Sequence, residues 1–207
     1  MKHALLFGGA SKNGKQIIKA LLDNNFKVIN VGSSSYDHDN VKNIIVDWKN
    51  INIEFIQQVC GKIAHNLDFV FFNQNSSSLS IEDFSIEHDD ILEKWKLIKD
   101  WSNSHWLSCQ MPFLVIHTIR NNLHKDSQIG WMLSDFINYQ AAGAMQHPDY
   151  SGFKFFNYLS MSAFNNQNDF FTFGIMPNFE SVGSQKKLEE IIFKIINKKS
   201  KKQVYKI

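Results

Sequence analysis

Short apolar runs alternate with longer stretches of helical spacing along most of the 207 residues, and this alternation limits the fold more than any other property. Residues 3–7 read as a strand ended by Gly8-Gly9, and 15–24 carry Ile17, Ile18, Leu21 and Leu22 at helical spacing. A second strand over 26–31 stops at Gly32 and three serines, a third covers 41–46, and a helix follows over 53–63. In 68–72, four apolar residues follow Asp68, the pattern of a central strand buried on both faces. A long helical region over 86–123 is expected to bend near Pro112. Then come a strand at 129–133, an aromatic-rich helix at 152–164, a strand at 170–176 stopped by Pro177, a helix at 185–197 and a last strand at 203–207. Strands separated by helices cannot form hairpins with each other, so the expected architecture is α/β: a doubly wound parallel sheet of about seven strands with helices on both faces. At roughly 150 residues per domain, residues 1–207 are expected to form a single domain.

Composition removes several classes of function. Lys plus Arg number 22 against 20 Asp plus Glu, a net charge of +2, so no general attraction to nucleic acid or to an anionic membrane is expected. Two cysteines, Cys60 and Cys109, suggest neither a disulfide framework nor a metal cluster. No apolar run approaches the roughly 18 residues of a membrane span, and the apolar stretch after Met1-Lys2-His3 is too short for a signal peptide. The expectation is a cytoplasmic protein. Arg120 is the single arginine, so a phosphate would have to be held by Lys, Ser or backbone N–H groups.

Such a place exists where the first strand turns into the first helix, at Gly8-Gly9-Ala10-Ser11-Lys12-Asn13-Gly14-Lys15. There phosphate can meet unpaired N–H groups and the positive end of a helix dipole. From Gly9 to Lys15 the spacing matches GxxxxGK, but Gln16 stands where a nucleoside triphosphatase needs a Ser or Thr for magnesium. The same segment resembles the TGxxxGxG turn of the short-chain dehydrogenases/reductases, with Gly8 for the Thr and Gly9 for the first glycine. Asn13 and Lys15 then stand at the second and third glycine positions unless Gly14 is a shifted equivalent.

A second element of that family is Tyr150-Ser151-Gly152-Phe153-Lys154, a YxxxK pair at helical i, i+4 spacing. Ser134 lies sixteen residues earlier, after the strand at 129–133. Asp47 follows the third strand, Asn73 the fourth and Pro177 the sixth. Each is at the carboxyl end of a strand, where open α/β sheets bind ligands. The glycine turn, Asp47, Asn73, Ser134, Tyr150/Lys154 and Pro177 occur in the order found in short-chain dehydrogenases/reductases, and the resemblance covers essentially the whole chain.

What the resemblance implies is a Rossmann-type fold and a nicotinamide dinucleotide held by Gly9, Ser11, Lys12, Asn13, Gly14, Ser33, Asp47, Asn73, Tyr150, Lys154 and Pro177. Ser134, Tyr150 and Lys154 would be catalytic in an oxidoreductase acting on a small carbonyl/alcohol substrate. No acid occurs in Asn30-Val31-Gly32-Ser33-Ser34-Ser35, and Lys12 adds positive charge, so NADP(H) is expected rather than NAD(H). Two places depart from the family. Ser108 aligns with its catalytic Asn, Asn103 fitting only under a shifted register, and Asn73-Gln74-Asn75 replaces its NAG triplet, which should crowd the cofactor's side of the backbone. These departures leave a second reading open, a dinucleotide-binding sensor or scaffold with little turnover.

Tyr139, Met145 and His147 should border the substrate, and the short stretch 178–184 leaves little chain for a lid. The resemblance also implies a homo-oligomer, a homodimer or homotetramer packed through the long helix before Ser134 and the aromatic helix after Tyr150.

Overall fold

The computed structural model describes residues 1–74, 91–134, 148–167, 170–177, 184–198 and 203–207. Seven strands form one sheet in the order β3-β2-β1-β4-β5-β6-β7. They are β1 (Lys2–Phe7), β2 (Phe26–Gly32), β3 (Val41–Ile45), β4 (Phe69–Phe72), β5 (Gln128–Met132), β6 (Phe171–Met176) and β7 (Val204–Lys206), and every pairing is parallel. The chain builds outward from β1 to β3, then crosses back to lay β4 on the other side of β1. Strand order therefore reverses between β1 and β4, which opens a crevice at their carboxyl ends.

Alternation of side chains along each strand feeds two apolar layers. Leu5 and Phe7 of β1 join Val70, Phe72, Ile129 and Trp131 on one face. That face is covered by α2 (Ile53–Cys60), α4 (Met111–Thr118) and α5 (Pro148–Gln167), and α3 (Ile91–His105) runs into α4 through residues 106–110. Ala4 and Leu6 face the other way with Phe69, Phe71 and Phe173. There α1 (Lys12–Leu22) and α6 (Ser184–Ile196) cover them, through Ile17, Ile18, Leu21, Leu188, Ile192 and Ile195. A Cβ on Gly130 of β5 would lie 2.4 Å from the Phe173 ring and 2.5 Å from that of Phe71, so the missing side chain makes room for two aromatic rings.

The long helical region deviates slightly upstream of the expected bend. Trp106–Gln110 form a π-helical turn in which the Met111 N–H bonds the Trp106 carbonyl five residues back. Pro112 sits in the first turn of α4. It has no N–H for the Ser108 carbonyl and its ring would press on that group, so the widened turn just before it absorbs the conflict. No helix among the described residues is long and apolar enough to cross a membrane.

Candidate functional site

The turn after β1 is shaped by two glycines with different tasks. Gly8 adopts φ 86°, a left-handed conformation. Its absent Cβ would lie 2.8 Å from the Asn73 carbonyl carbon and the Gln74 nitrogen, so β1 ends against the backbone leaving β4. Gly14 is buried in the first turn of α1, where a Cβ would come within 2.3 Å of the Gly8 oxygen and 2.6 Å of the Gly9 Cα. The close-approach glycine of the turn is thus Gly14, and Asn13 stands half-buried beside it.

Ser11 caps α1. Its Oγ accepts from the Gly14 N–H at 3.1 Å and donates to the Gly8 carbonyl at 3.3 Å. The buried Asn73 side chain, at the end of β4, donates to that carbonyl at 2.9 Å and to Ser11 Oγ at 2.8 Å. The crevice between β1 and β4 is therefore stitched by side chains from both strands' ends. Within α1 itself the N–H groups of Lys12 and Asn13 have no partner, which leaves them for an anion. Gly14 and the exposed Lys15 already lie inside the helix, so the GxxxxGK stretch does not form an open loop around a phosphate.

At the far side of the turn, β2 ends at Gly32, where a Cβ would be 3.5 Å from the Ala10 N–H nitrogen. Ser33 follows, exposed, and Lys12 is exposed nearby in sequence to Ala10. Asp47 is exposed after β3, its Oδ1 accepting from the Lys49 N–H at 3.1 Å and its Oδ2 from Asn50 Nδ2 at 2.7 Å.

The opposite end of the crevice holds the serine and lysine. Ser134 is fully buried two residues beyond β5. Tyr150 lies in the first turn of α5; its side chain, like residues 135–147 with Tyr139, Met145 and His147, is outside the described residues. Lys154, one helical turn later and only 3% exposed, donates from Nζ to the Met132 carbonyl at 2.8 Å. Burial lowers the Lys154 ammonium to about 8, opposed by the nearby Cys109. Burial likewise pushes the Cys109 thiol up to about 11, opposed by the Lys154 charge. Pro177 is buried just after β6.

Ser108 and Cys109 both lie buried in the π-turn, whereas Asn103 is half-buried more than a turn earlier in α3. Gln74 directs its amide to this π-turn: Nε2 donates to the Leu107 carbonyl at 3.1 Å. Gln74 of the replaced triplet thus ties the end of β4 to the helix that carries Ser108. Asn75 and 178–183 lie outside the described residues. The sequence gives no sign that Cys109 lies close to Lys154, nor that Asn30 and Asn43 pair across β2 and β3. An asparagine between Val28, Ile29 and Val31 marks a polar group within an apolar strand but not its partner.

All of Ser33, Asp47, Asn73, Ser134 and Pro177, with the glycine turn, stand along one edge of the sheet, at the carboxyl ends of β1 to β6. No family model matches the sequence, and no curated protein matches it. Solved structures do match. A short-chain dehydrogenase family protein from Francisella tularensis superposes with a TM-score of 0.70 at 22% identity, over 91% of this chain and 74% of that one. A short-chain dehydrogenase/reductase from Brucella melitensis, a glucose/ribitol dehydrogenase, gives 0.77 at 11% identity over 100% and 94%. One from Burkholderia multivorans with bound NADP gives 0.72 at 15% identity over 100% and 95%. The chain has the fold of the short-chain dehydrogenases/reductases.

Proposed function

We propose that the protein is an NADP(H)-dependent oxidoreductase of the short-chain dehydrogenase/reductase type, acting on a carbonyl/alcohol pair with Tyr150 as its acid/base. The observation that carries this reading is the anchoring of Lys154 to the Met132 carbonyl at 2.8 Å, two residues before Ser134 and one helical turn after Tyr150. A YxxxK spacing that arose by accident on a solvated helix end would leave its lysine in water.

A dinucleotide fits the residues present. Gly8, Gly9 and Gly14 let the turn fold tightly on Asn73, Asn30 and its own backbone, where added Cβ atoms would clash, and the start of α1 offers N–H groups to a diphosphate. Asn73 holds that turn in shape, Asp47 and Ser33 flank the adenosine end, Lys12 balances phosphate charge, and Pro177 borders the nicotinamide end. The Burkholderia multivorans structure holds NADP, which supports a nicotinamide dinucleotide here. When bound, this cofactor supplies or accepts the hydride. The chain supplies the rest. Tyr150 passes a proton between its hydroxyl and the substrate oxygen, and a free phenol at roughly pKa 10 is a poor exchanger at neutral pH. The Lys154 ammonium favours the phenolate and so lowers that barrier. Ser134 orients the substrate oxygen by a hydrogen bond.

Tyr150→Phe should lower kcat by about 10²–10⁴-fold while NADPH binding persists. Activity retained in that variant over a panel of carbonyl compounds would remove Tyr150 from the chemistry. Fluorescence titration should show tighter NADPH than NADH binding, and the reverse order would overturn the cofactor preference. One observation favours a second reading, a dinucleotide sensor of little turnover: Gln74 ties the end of β4 to Leu107, replacing the small residues of the family's triplet. Dinucleotide binding with no turnover on any carbonyl would select it.

The chain is also proposed to form homo-oligomers. Trp95, Ile98 and Trp101 on α3, with Phe155, Phe156 and Leu159 on α5, are exposed apolar side chains on the two long helices. Apolar surface on this scale points to a protein partner, here a second copy.

A further inference from the structure

Asn30 lies within β2 between Val28, Ile29 and Val31, yet it is completely buried. Its Nδ2 donates to Asn43 Oδ1 across the β2–β3 register at 2.9 Å, and to the Ser34 carbonyl at 3.4 Å. Asn43 turns the rest of its amide on Tyr36: Oδ1 accepts from the Tyr36 N–H at 2.9 Å, and Nδ2 donates to the Tyr36 carbonyl at 3.0 Å. This two-point grip determines which Asn43 atom is the oxygen, and Asn30 must therefore donate to it. Asn30 Oδ1 consequently faces Gly9, 2.2 Å from where a Cβ would be, and has no hydrogen-bond partner. A valine would fill the strand without that orphaned oxygen. Both donor bonds of the Asn30 amide serve the segment after β2, directly at Ser34 and through Asn43 at Tyr36.

That segment is held at Ser34, in the middle of its serine run, and at Tyr36 just beyond it. Ser33, Ser34 and Ser35 are exposed, and Gly32 abuts Ala10, which precedes the Ser11 cap of α1 and the exposed Lys12. The first acid, Asp37, comes one residue beyond the pinned Tyr36. Hydroxyl and N–H donors with a lysine suit a phosphate monoester, whereas a ribose diol wants an acceptor carboxylate in that place.

We propose that Asn43, itself fixed by Asn30, is a positioning residue that holds the serine segment as a pre-organised cradle for a ribose 2′-phosphate and so determines cofactor preference. This rests on the dinucleotide reading above. A cradle ordered before binding avoids the cost of ordering it when the ligand arrives.

The test compares the full chain with its Asn43→Ala variant, by titration with NADPH, NADH, 2′,5′-ADP and 5′-ADP. The variant should weaken NADPH and 2′,5′-ADP by about tenfold and change NADH and 5′-ADP by less than about twofold. A merely structural role would weaken all four alike, and that result, or no change in any, overturns the proposal. Wild-type protein that binds no dinucleotide would defeat the underlying reading too, and is distinguishable because no variant is needed to see it. A second measurement needs no substitution. The Tyr36 amide should be protected from hydrogen exchange in the ligand-free protein; protection that arises only with NADPH overturns the proposal.

Discussion

Lys154 is an unusual lysine because its ammonium is enclosed by protein and bonded to a backbone carbonyl. Burial brings its folded-state pKa down to about 8 from an ordinary 10.5. Between those values the unfolded chain binds more protons than the folded one, so this group's contribution to stability rises with pH, is fully present above about 10.5 and is lost as pH falls through about 8. Cofactor binding runs the other way. If the ammonium is what meets the dinucleotide, NADPH affinity should weaken above pH about 8 in the wild type. Lys154→Arg, whose guanidinium stays charged, should flatten that dependence in a titration series. A wild-type profile that stays level from pH 7 to 9.5 would show that the charge on Lys154 does not contribute. The spacing from Tyr150 made Lys154 legible in the sequence. Its acceptor was not, because any residue carries a carbonyl and Met132 advertises nothing.

Elements were readable to the extent that their burial was simple. Phe69–Phe72 is covered on both faces, so its unbroken apolar run announced a strand. Helix α1 begins three residues earlier than apolar spacing suggests, because its first turn is fixed by the Ser11 cap and only later turns bury Ile17 and Ile18. The identity of the close-packing glycine was likewise hidden. Asn13, Gly14 and Lys15 are adjacent, and only the path of the turn decides which of them meets Gly8. Gly14→Ala tests that geometry. Alanine gains roughly 1 kcal/mol of helix propensity over glycine. Here its methyl would meet the Gly8 carbonyl at 2.3 Å, an overpacking that costs about 1–3 kcal/mol and displaces α1 from the turn. Urea unfolding should show a net loss of stability, together with weaker dinucleotide binding. A variant more stable than the wild type would mean that α1 does not press on the turn. The link from Gln74 to Leu107 also escaped sequence reading, since it joins residues 33 positions apart through a backbone atom.

At the scale of the molecule, Trp95 and Ile98 on α3 and Phe155, Phe156 and Leu159 on α5 are exposed and lie outside the sheet core, which Met111, Met161 and Phe164 fill from the same side. Trp95 is 63% exposed and Leu159 50%. Phe155→Glu combined with Leu159→Glu should shift the protein to a monomer in sedimentation experiments and leave the fold intact, because neither side chain is buried in the single chain. Multimers that persist in the double variant would place the interface elsewhere. The doubly wound order was legible from the alternation of segments. Which apolar side chains of the two long helices stay exposed was not, since an apolar helix has the same composition whether its own chain or another covers it.

The parallel sheet has a further consequence, for the time course of folding. Every strand pair in it is parallel, so none can close as a local hairpin and each requires a crossover first. Loop closure must precede the contacts that reward it, which places such a chain among slower folders. β1 is made first and ends near the middle of the sheet, with β2 on one side and β4 on the other. During synthesis its second edge therefore stays open until Phe69–Phe72 leaves the ribosome, and over that interval the nascent chain exposes an apolar strand edge of the kind that chaperones cover.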